Sequence, residues 1–154
     1  MGGECNIDWM EARYRLAPMR EARARDERVR RGDLAGAVGD AQASSDDVVE
    51  VTGRLTRARA AITQATTVRE RWLTQGRAAG TLAHLEHHLR RLRRELDALH
   101  GELARADARH GGQLDLVDVA QARFSRARAD REVIERHFTA WRAARHKLAE
   151  RRDD

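Results

Sequence analysis

Seven leucines in the second half of the chain alternate spacings of three and four residues: Leu82, Leu85, Leu89, Leu92, Leu96, Leu99 and Leu103. Leucines at this spacing lie on one face of an α-helix and form the a and d positions of a coiled-coil heptad. The same register continues to Leu148 over mostly apolar residues, and it keeps its phase across Gly111 and Gly112. We therefore predict one long helix over about residues 81–150.

The first half of the chain carries a related pattern built from smaller side chains. Gly76 and Gly80 bracket a polar stretch that predicts a turn over residues 76–80, with Thr81 as N-cap of the second helix. Alanine and valine can lie close against leucine, so the two halves are complementary in size. The apolar positions of the first half are Leu34, Val38, Ala41, Val48, Val51, Leu55, Ala58, Ile62, Ala65 and Trp72.

These elements predict an all-α fold, a long two-helix antiparallel coiled-coil hairpin formed by residues 1–154 as a single unit. The first helix is expected over about residues 8–75, and Asp8 and Glu11 resemble a capping box at its start. Pro18 and the glycine-rich residues 32–46 can each kink this helix. Breaks at 32–47 and at Gly111-Gly112 would instead give a compact four-helix bundle, which is the alternative fold.

A chain that folds back near residue 78 brings defined residues face to face. Arg131 should then lie near Asp26 and Glu27, Arg145 near Glu11, and His110 near Asp46 and Asp47. Trp9 and Tyr14 should lie beside Phe138 and Trp141. Aromatic and arginine side chains are common anchors of protein interfaces, so this end is the first candidate binding site.

Composition restricts the class of protein. Charged residues form 36% of the chain and aromatic residues only 4%, which leaves little material for a large globular core. The net charge is +5, yet acids and bases are interspersed along most of the sequence, which favours a solvated helical surface over a nucleic-acid site. The densest basic run, Arg90 to Arg94, contains no aromatic residue for base stacking, which favours a solvated face or a contact with an acidic protein.

The N-terminus lacks the apolar segment of a secretory signal, and no stretch approaches the roughly 20 apolar residues of a membrane span. Cys5 is the only cysteine, so no intrachain disulfide can form. We expect a cytoplasmic protein that does not insert into membranes. His84 and His88 lie one helical turn apart but lack a third ligand, and no catalytic motif is present. The sequence therefore predicts no metal site, no cofactor and no enzymatic activity.

Two segments resemble the FliJ/YscO family, the small coiled-coil hairpins of flagellar and virulence type III secretion systems. The first runs from Leu16-Ala-Pro-Met-Arg-Glu to Asp26-Glu27 and on to Leu34-Ala-Gly-Ala, a basic stretch with leucine followed by alternating charge and alanine. The second runs from Arg128 to Arg145 and includes Arg131-Glu132, Glu135-Arg-His and Trp141. Chain length and the midpoint turn are also similar to the family over essentially the whole chain.

The resemblance implies a central stalk or regulator of the export ATPase that also contacts the membrane export gate and some export chaperones. Near the paired termini it implies ATPase contacts at Arg128, Glu132, Glu135, Arg136 and Arg142, all expected to face outward. Near the turn it implies export-gate contacts at Arg69, Leu73, His87, Arg90, Arg91 and Arg94. A self-contained hairpin is expected to be monomeric alone. The alternative functions are a basic helical nucleic-acid-binding protein and a dimerising coiled-coil chaperone.

Overall fold

The computed structural model describes residues 14–153, with side chains to residue 151, and contains two long helices packed against each other. Helix α1 spans Ala17–Thr74 (58 residues) and helix α2 spans Ala79–Asp153 (75 residues). The predicted helical hairpin is confirmed. The four-helix bundle is excluded, because α1 continues through residues 32–47 and α2 continues through Gly111 and Gly112.

Contacts between the helices group into two compact units. The turn unit consists of Gly36–Asp118, which includes the connection between the helices. Of the described residues, the terminal unit contains 14–35 and 119–153. Each unit has its own packing and its own pattern of charges.

The turn between the helices is shorter than the sequence predicts, and it lies earlier. Gly76 has a φ of +65°, a left-handed conformation that glycine adopts without steric cost. Its amide donates to the carbonyl of Leu73 and the amide of Arg77 donates to that of Trp72, which together form a Schellman motif. Helix α2 then begins at Ala79, so Thr81 lies inside its first turn and is not the N-cap.

The start of α1 explains how Pro18 is tolerated. Pro18 is the second residue of the helix, where the missing amide proton would have no intrahelical acceptor. Residues 14–16 are not helical, and α1 begins one residue before Pro18. The expected helix start at about residue 8 lies outside the described residues. The capping box expected at Asp8 and Glu11 lies outside the described residues.

Leucine and alanine alternate across the seam of the turn unit. One buried cluster contains Leu55, Ala58 and Leu99, and a second contains Ala65, Leu89 and Leu92. Leu89 and Leu99 are the largest fully buried side chains, at 0% and 2% exposure. The predicted size complementarity is therefore confirmed, because alanines of α1 leave room for the leucines of α2.

The heptad register of α2 holds over most of the helix. Every predicted a and d position from Leu82 to Arg145 is at least partly shielded, whereas Leu148 is 59% exposed. On α1, the prediction at Val38 is wrong. Val38 is 50% exposed and the neighbouring Ala37 is shielded, since the three-and-four spacing that leads to Ala41 passes through residue 37.

The glycines in the middle of α2 should be replaceable with a gain in stability. Gly111 and Gly112 are exposed, and a Cβ added at either position would meet nothing within 4 Å. Each glycine-to-alanine change should raise the free energy of unfolding by about 0.5–1 kcal/mol, because alanine loses less backbone entropy in a helix. Urea unfolding followed by circular dichroism measures this change. Gly76→Ala is the control and should lower stability because of its positive φ; a loss at Gly111 would contradict the prediction.

Candidate functional site

An aromatic cluster joins the start of α1 to α2 within the terminal unit. Tyr14 is 8% exposed, and its ring centroid lies 5.0 Å from that of Phe138 and 5.1 Å from that of Trp141. The Tyr14 hydroxyl shares a 2.7 Å hydrogen bond with Nδ1 of His137. The predicted contact of Tyr14 with these aromatics is confirmed, whereas Trp9 lies outside the described residues.

Ion pairs across the helices flank this cluster. Arg20 Nε donates to Glu135 Oε1 at 2.9 Å, and the Arg20 guanidinium also lies 4.1 Å from the Phe138 ring centroid. Arg23 pairs with Asp130 at 3.0 Å. Glu135 was expected to face outward, but its side chain is 32% exposed and engaged by α1. That prediction is wrong, because the long side chain of Arg20 extends across the seam and forms an ion pair with Glu135.

Glu27 is a buried carboxylate in the seam, and only 5% of its side chain is exposed. Its Oε2 accepts a 2.7 Å hydrogen bond from Arg131, and its Oε1 accepts a 2.8 Å hydrogen bond from Arg31. The hydrogen bond from Arg131 holds the pKa of Glu27 below its ordinary value, and the two positive charges lower that pKa further. The predicted approach of Arg131 to Glu27 is confirmed. We call these three residues the buried charge triad.

Four of the five residues expected at the ATPase end are exposed on α2: Arg128, Glu132, Arg136 and Arg142. Glu132 pairs with Arg128 at 3.2 Å and with Arg136 at 3.6 Å. The Arg142 guanidinium lies 5.8 Å from the Phe138 ring centroid. We call these four residues the terminal charged surface. A shallow depression beside it is lined by Glu132, Arg136, Thr139, Ala140 and Ala143.

The residues expected near the turn are only partly brought together. His87, Arg90 and Arg94 line a common surface depression on α2. Leu73 is 53% exposed, and Arg91 contacts Nδ1 of His88 at 3.0 Å. Arg69 forms an interhelical ion pair with Glu86 and is only partly exposed. The structure therefore places three of the six residues on one patch and gives Arg69 a role in joining the helices.

One polar contact differs from the sequence-based expectation, and a second falls outside the described residues. His110 shares a 2.9 Å hydrogen bond with Ser44, and the expected partners Asp46 and Asp47 are exposed instead. Ser44 is a seam residue three positions after Ala41, so the heptad spacing could have identified it. The expected pairing of Arg145 with Glu11 stays a prediction, because Glu11 lies outside the described residues.

Neither α1 nor α2 has the length of uncharged apolar sequence needed to cross a membrane. Among the described residues, no three histidine, cysteine, aspartate or glutamate side chains converge as metal ligands. Comparison with known proteins gave no match: no family model matches the chain, and neither does a curated protein or a solved structure.

Proposed function

We propose that this protein is a non-enzymatic coiled-coil component of a type III secretion export apparatus. It acts as the central stalk or regulator of the export ATPase and links that enzyme to the export gate, and export chaperones are further partners. The observation that carries the proposal is the hairpin of two unbroken helices, Ala17–Thr74 and Ala79–Asp153. Two long paired helices expose many charged side chains along their length, which suits an element that contacts several partners.

The terminal charged surface is the proposed contact with the ATPase. Arg136 is 80% exposed at its side chain and has only a 3.6 Å ion pair with Glu132, so a partner carboxylate can compete for it. Arg142 has an exposed guanidinium near Phe138. Arginine forms planar, bidentate hydrogen bonds with carboxylates, so acidic residues of the ATPase would bind Arg136 and Arg142.

The patch formed by His87, Arg90 and Arg94, together with exposed Leu73, is the proposed contact with the export gate. The cationic patch suits acidic groups of a partner, and Leu73, which is 53% exposed, suits apolar groups of that partner. Because this patch and the terminal charged surface belong to different units, the two partners would be bound by different parts of the chain.

Charge reversal at the terminal charged surface tests the proposal. The variant Arg136→Glu with Arg142→Glu should abolish stimulation of the export ATPase of the same organism, because two cationic contacts become repulsive. The measurement is phosphate release by the ATPase with increasing amounts of the hairpin protein. Circular dichroism should show unchanged helicity, since both residues are exposed and outside the seam.

The matched control is Arg123→Glu with Arg126→Glu, which makes the same charge change at two exposed positions of α2 outside the proposed surface. The control should stimulate the ATPase as well as the wild-type protein does. Unchanged stimulation by the Arg136 and Arg142 variant would reject the proposed ATPase contact. No stimulation by the wild-type protein would reject the stalk function itself.

A further inference from the structure

The charges of the turn unit are segregated along the hairpin. Residues 51–100, which we call the basic section, contain ten arginines and four acids, a net charge of +6. Residues 36–50 and 107–118, which we call the acidic section, contain seven acids and one arginine, Arg109. The hydrogen bond between Ser44 and His110 places the two parts of the acidic section beside each other. The turn unit thus contains an acidic section and a basic section that follow one another along the helices.

These charges are also largely without ion pairs. Within residues 36–118, all of which the structure describes, the ion pairs are Arg54–Glu102 and Arg69–Glu86. All seven acids of the acidic section are exposed and none forms an ion pair. The terminal unit differs, since most of its described acids pair with nearby arginines, as Glu135 does with Arg20.

The two sections adjoin at Glu50 and Arg54, one helical turn apart on α1, but Arg54 pairs with Glu102 and no ion pair joins the two sections within one copy. About 20 residues of α2 separate Arg94 from the far part of the acidic section near Asp115, roughly 30 Å at 1.5 Å per residue. The Debye length at physiological salt is about 8 Å, so the attraction between the sections is screened. Like charges within each section remain close together and repel, and a partner of opposite charge relieves that repulsion.

Exposed apolar side chains accompany the acids. Val49 is 67% exposed, Leu116 is 55% exposed and Leu114 is 48% exposed. A partner for this section should therefore carry positive charge on side chains that can also cover apolar surface. Arginine does both, because its aliphatic stem packs on apolar groups while its guanidinium binds carboxylates. The exposed arginines of the basic section have this chemistry.

We propose that two copies of this protein associate side by side and antiparallel through their turn units, with the basic section of each copy on the acidic section of the other. A two-fold arrangement makes both contacts at once. Its axis lies midway between the sections, near Glu102, where equivalent residues of the two copies meet. At a two-fold axis each charged residue meets the same residue of the other copy, so an unpaired charge there would repel its equivalent. The 2.8 Å ion pair of Glu102 with Arg54 neutralises the charge at this position.

This association does not use the heptad seam, which one chain already closes by itself, and it departs from the expectation that the hairpin is monomeric alone. It covers Arg90 and Arg94, so it competes with the proposed gate contact, and it does not involve the terminal charged surface. Sedimentation equilibrium of nuclease-treated protein tests it in about 50 mM and about 500 mM NaCl. The wild-type protein should be dimeric at low salt, and its dissociation constant should rise at least about tenfold at high salt, since screening weakens charge contacts. A monomer at low salt, or a dimer unaffected by salt, would overturn the proposal.

Charge exchange between variants gives a second test. The basic-section variant is Arg90→Glu with Arg91→Glu and Arg94→Glu, and the acidic-section variant is Asp46→Arg with Asp47→Arg and Glu50→Arg. All six residues are exposed, so helicity should be retained. Each variant alone should be monomeric at low salt, because three charge reversals leave the altered section without net charge and both contacts lose their attraction. An equimolar mixture should form a heterodimer, since its unaltered sections attract and its reversed residues face opposite charges.

The mixture separates self-association from other occupants of the same surface. If the basic section serves only a nucleic acid or an acidic protein, the nuclease-treated wild-type protein stays monomeric and the mixture gains no mass. Either result overturns the proposal. Recovery of the dimer mass only when both variants are present would support it, and loss of ATPase stimulation by Arg136 and Arg142 variants would have no bearing on it.

Discussion

Replacing Leu89 with alanine should lower the free energy of unfolding by about 2–5 kcal/mol. Leu89 is 0% exposed and packs with Ala65 and Leu92 in the turn unit. The alanine on the opposite helix cannot expand to fill the space, so a cavity adds to the lost burial of the leucine side chain. Because single domains are stable by only about 5–15 kcal/mol, this one change should remove a large share of the stability.

Urea unfolding followed at the helical circular dichroism band measures the effect of Leu89→Ala. The matched control is Leu116→Ala, which removes the same atoms from a side chain that is 55% exposed. The control should change the free energy of unfolding by no more than about 0.5 kcal/mol. Equal effects at the two positions would show that the seam of the turn unit is not the source of its stability.

Replacing Glu27 with glutamine should destabilise the hairpin at neutral pH and remove one acid-sensitive contribution to its stability. The substitution leaves Arg31 and Arg131 close together without the carboxylate that now lies between them. Since the folded state holds the pKa of Glu27 below its ordinary value of 4.5, the ionised carboxylate stabilises the fold above that value. This contribution is lost as the pH falls below 4.5 through the lower pKa of the folded protein.

The test is urea unfolding of both proteins from about pH 7 down to about pH 3. The difference between wild type and Glu27→Gln should be largest at neutral pH and should shrink as the solution becomes acidic. Glu132→Gln is the control, because Glu132 also bonds two arginines but its side chain is 49% exposed. The control should change stability little. A difference between wild type and Glu27→Gln that does not depend on pH would contradict the buried charge triad as described.

Much of the fold was predictable because the heptad phase persists in both helices. A turn or break has no reason to preserve this phase, so its continuation across Gly111 and Gly112 correctly indicated one helix. The same argument applies to α1, where Leu34, Ala41 and Val48 keep a seven-residue spacing. Val38 is the more hydrophobic residue, but the heptad spacing selects its neighbour, and Ala37 lies in the seam.

The helix boundaries and partners were harder to predict. Threonine is a favourable N-cap residue, so Thr81 predicts a later start of α2 than the structure shows. In the structure the Schellman motif at Gly76 ends α1, and α2 already begins at Ala79. His110 was assigned acidic partners because opposite charges attract. In the structure it bonds a small seam residue, Ser44, which fits beside it between the helices.

The candidate surfaces were predictable only in part. The heptad predicts exposure for positions opposite the seam, and Arg136 and Glu132 are exposed as expected. Positions that flank the seam can face either solvent or the other helix, and in coiled coils they often form interhelical ion pairs. Glu135 and Glu86 are flanking positions, and arginines of α1 engage both of them. The segregation of charge in the turn unit depends on which residues of α1 lie beside which residues of α2. The pairing of Ser44 with His110 shows this arrangement in the structure.

The hairpin also imposes an order on how the chain reaches its native state. Contacts near the turn join residues close in sequence, as in the pair Arg54 and Glu102, which are 48 residues apart. The pair Tyr14 and His137 is 123 residues apart. Closing a short loop loses less chain entropy, so zippering should start at the leucine-rich segment and proceed outward. The contact of Tyr14 with His137 would then form last, when most of the chain between these two residues is already ordered.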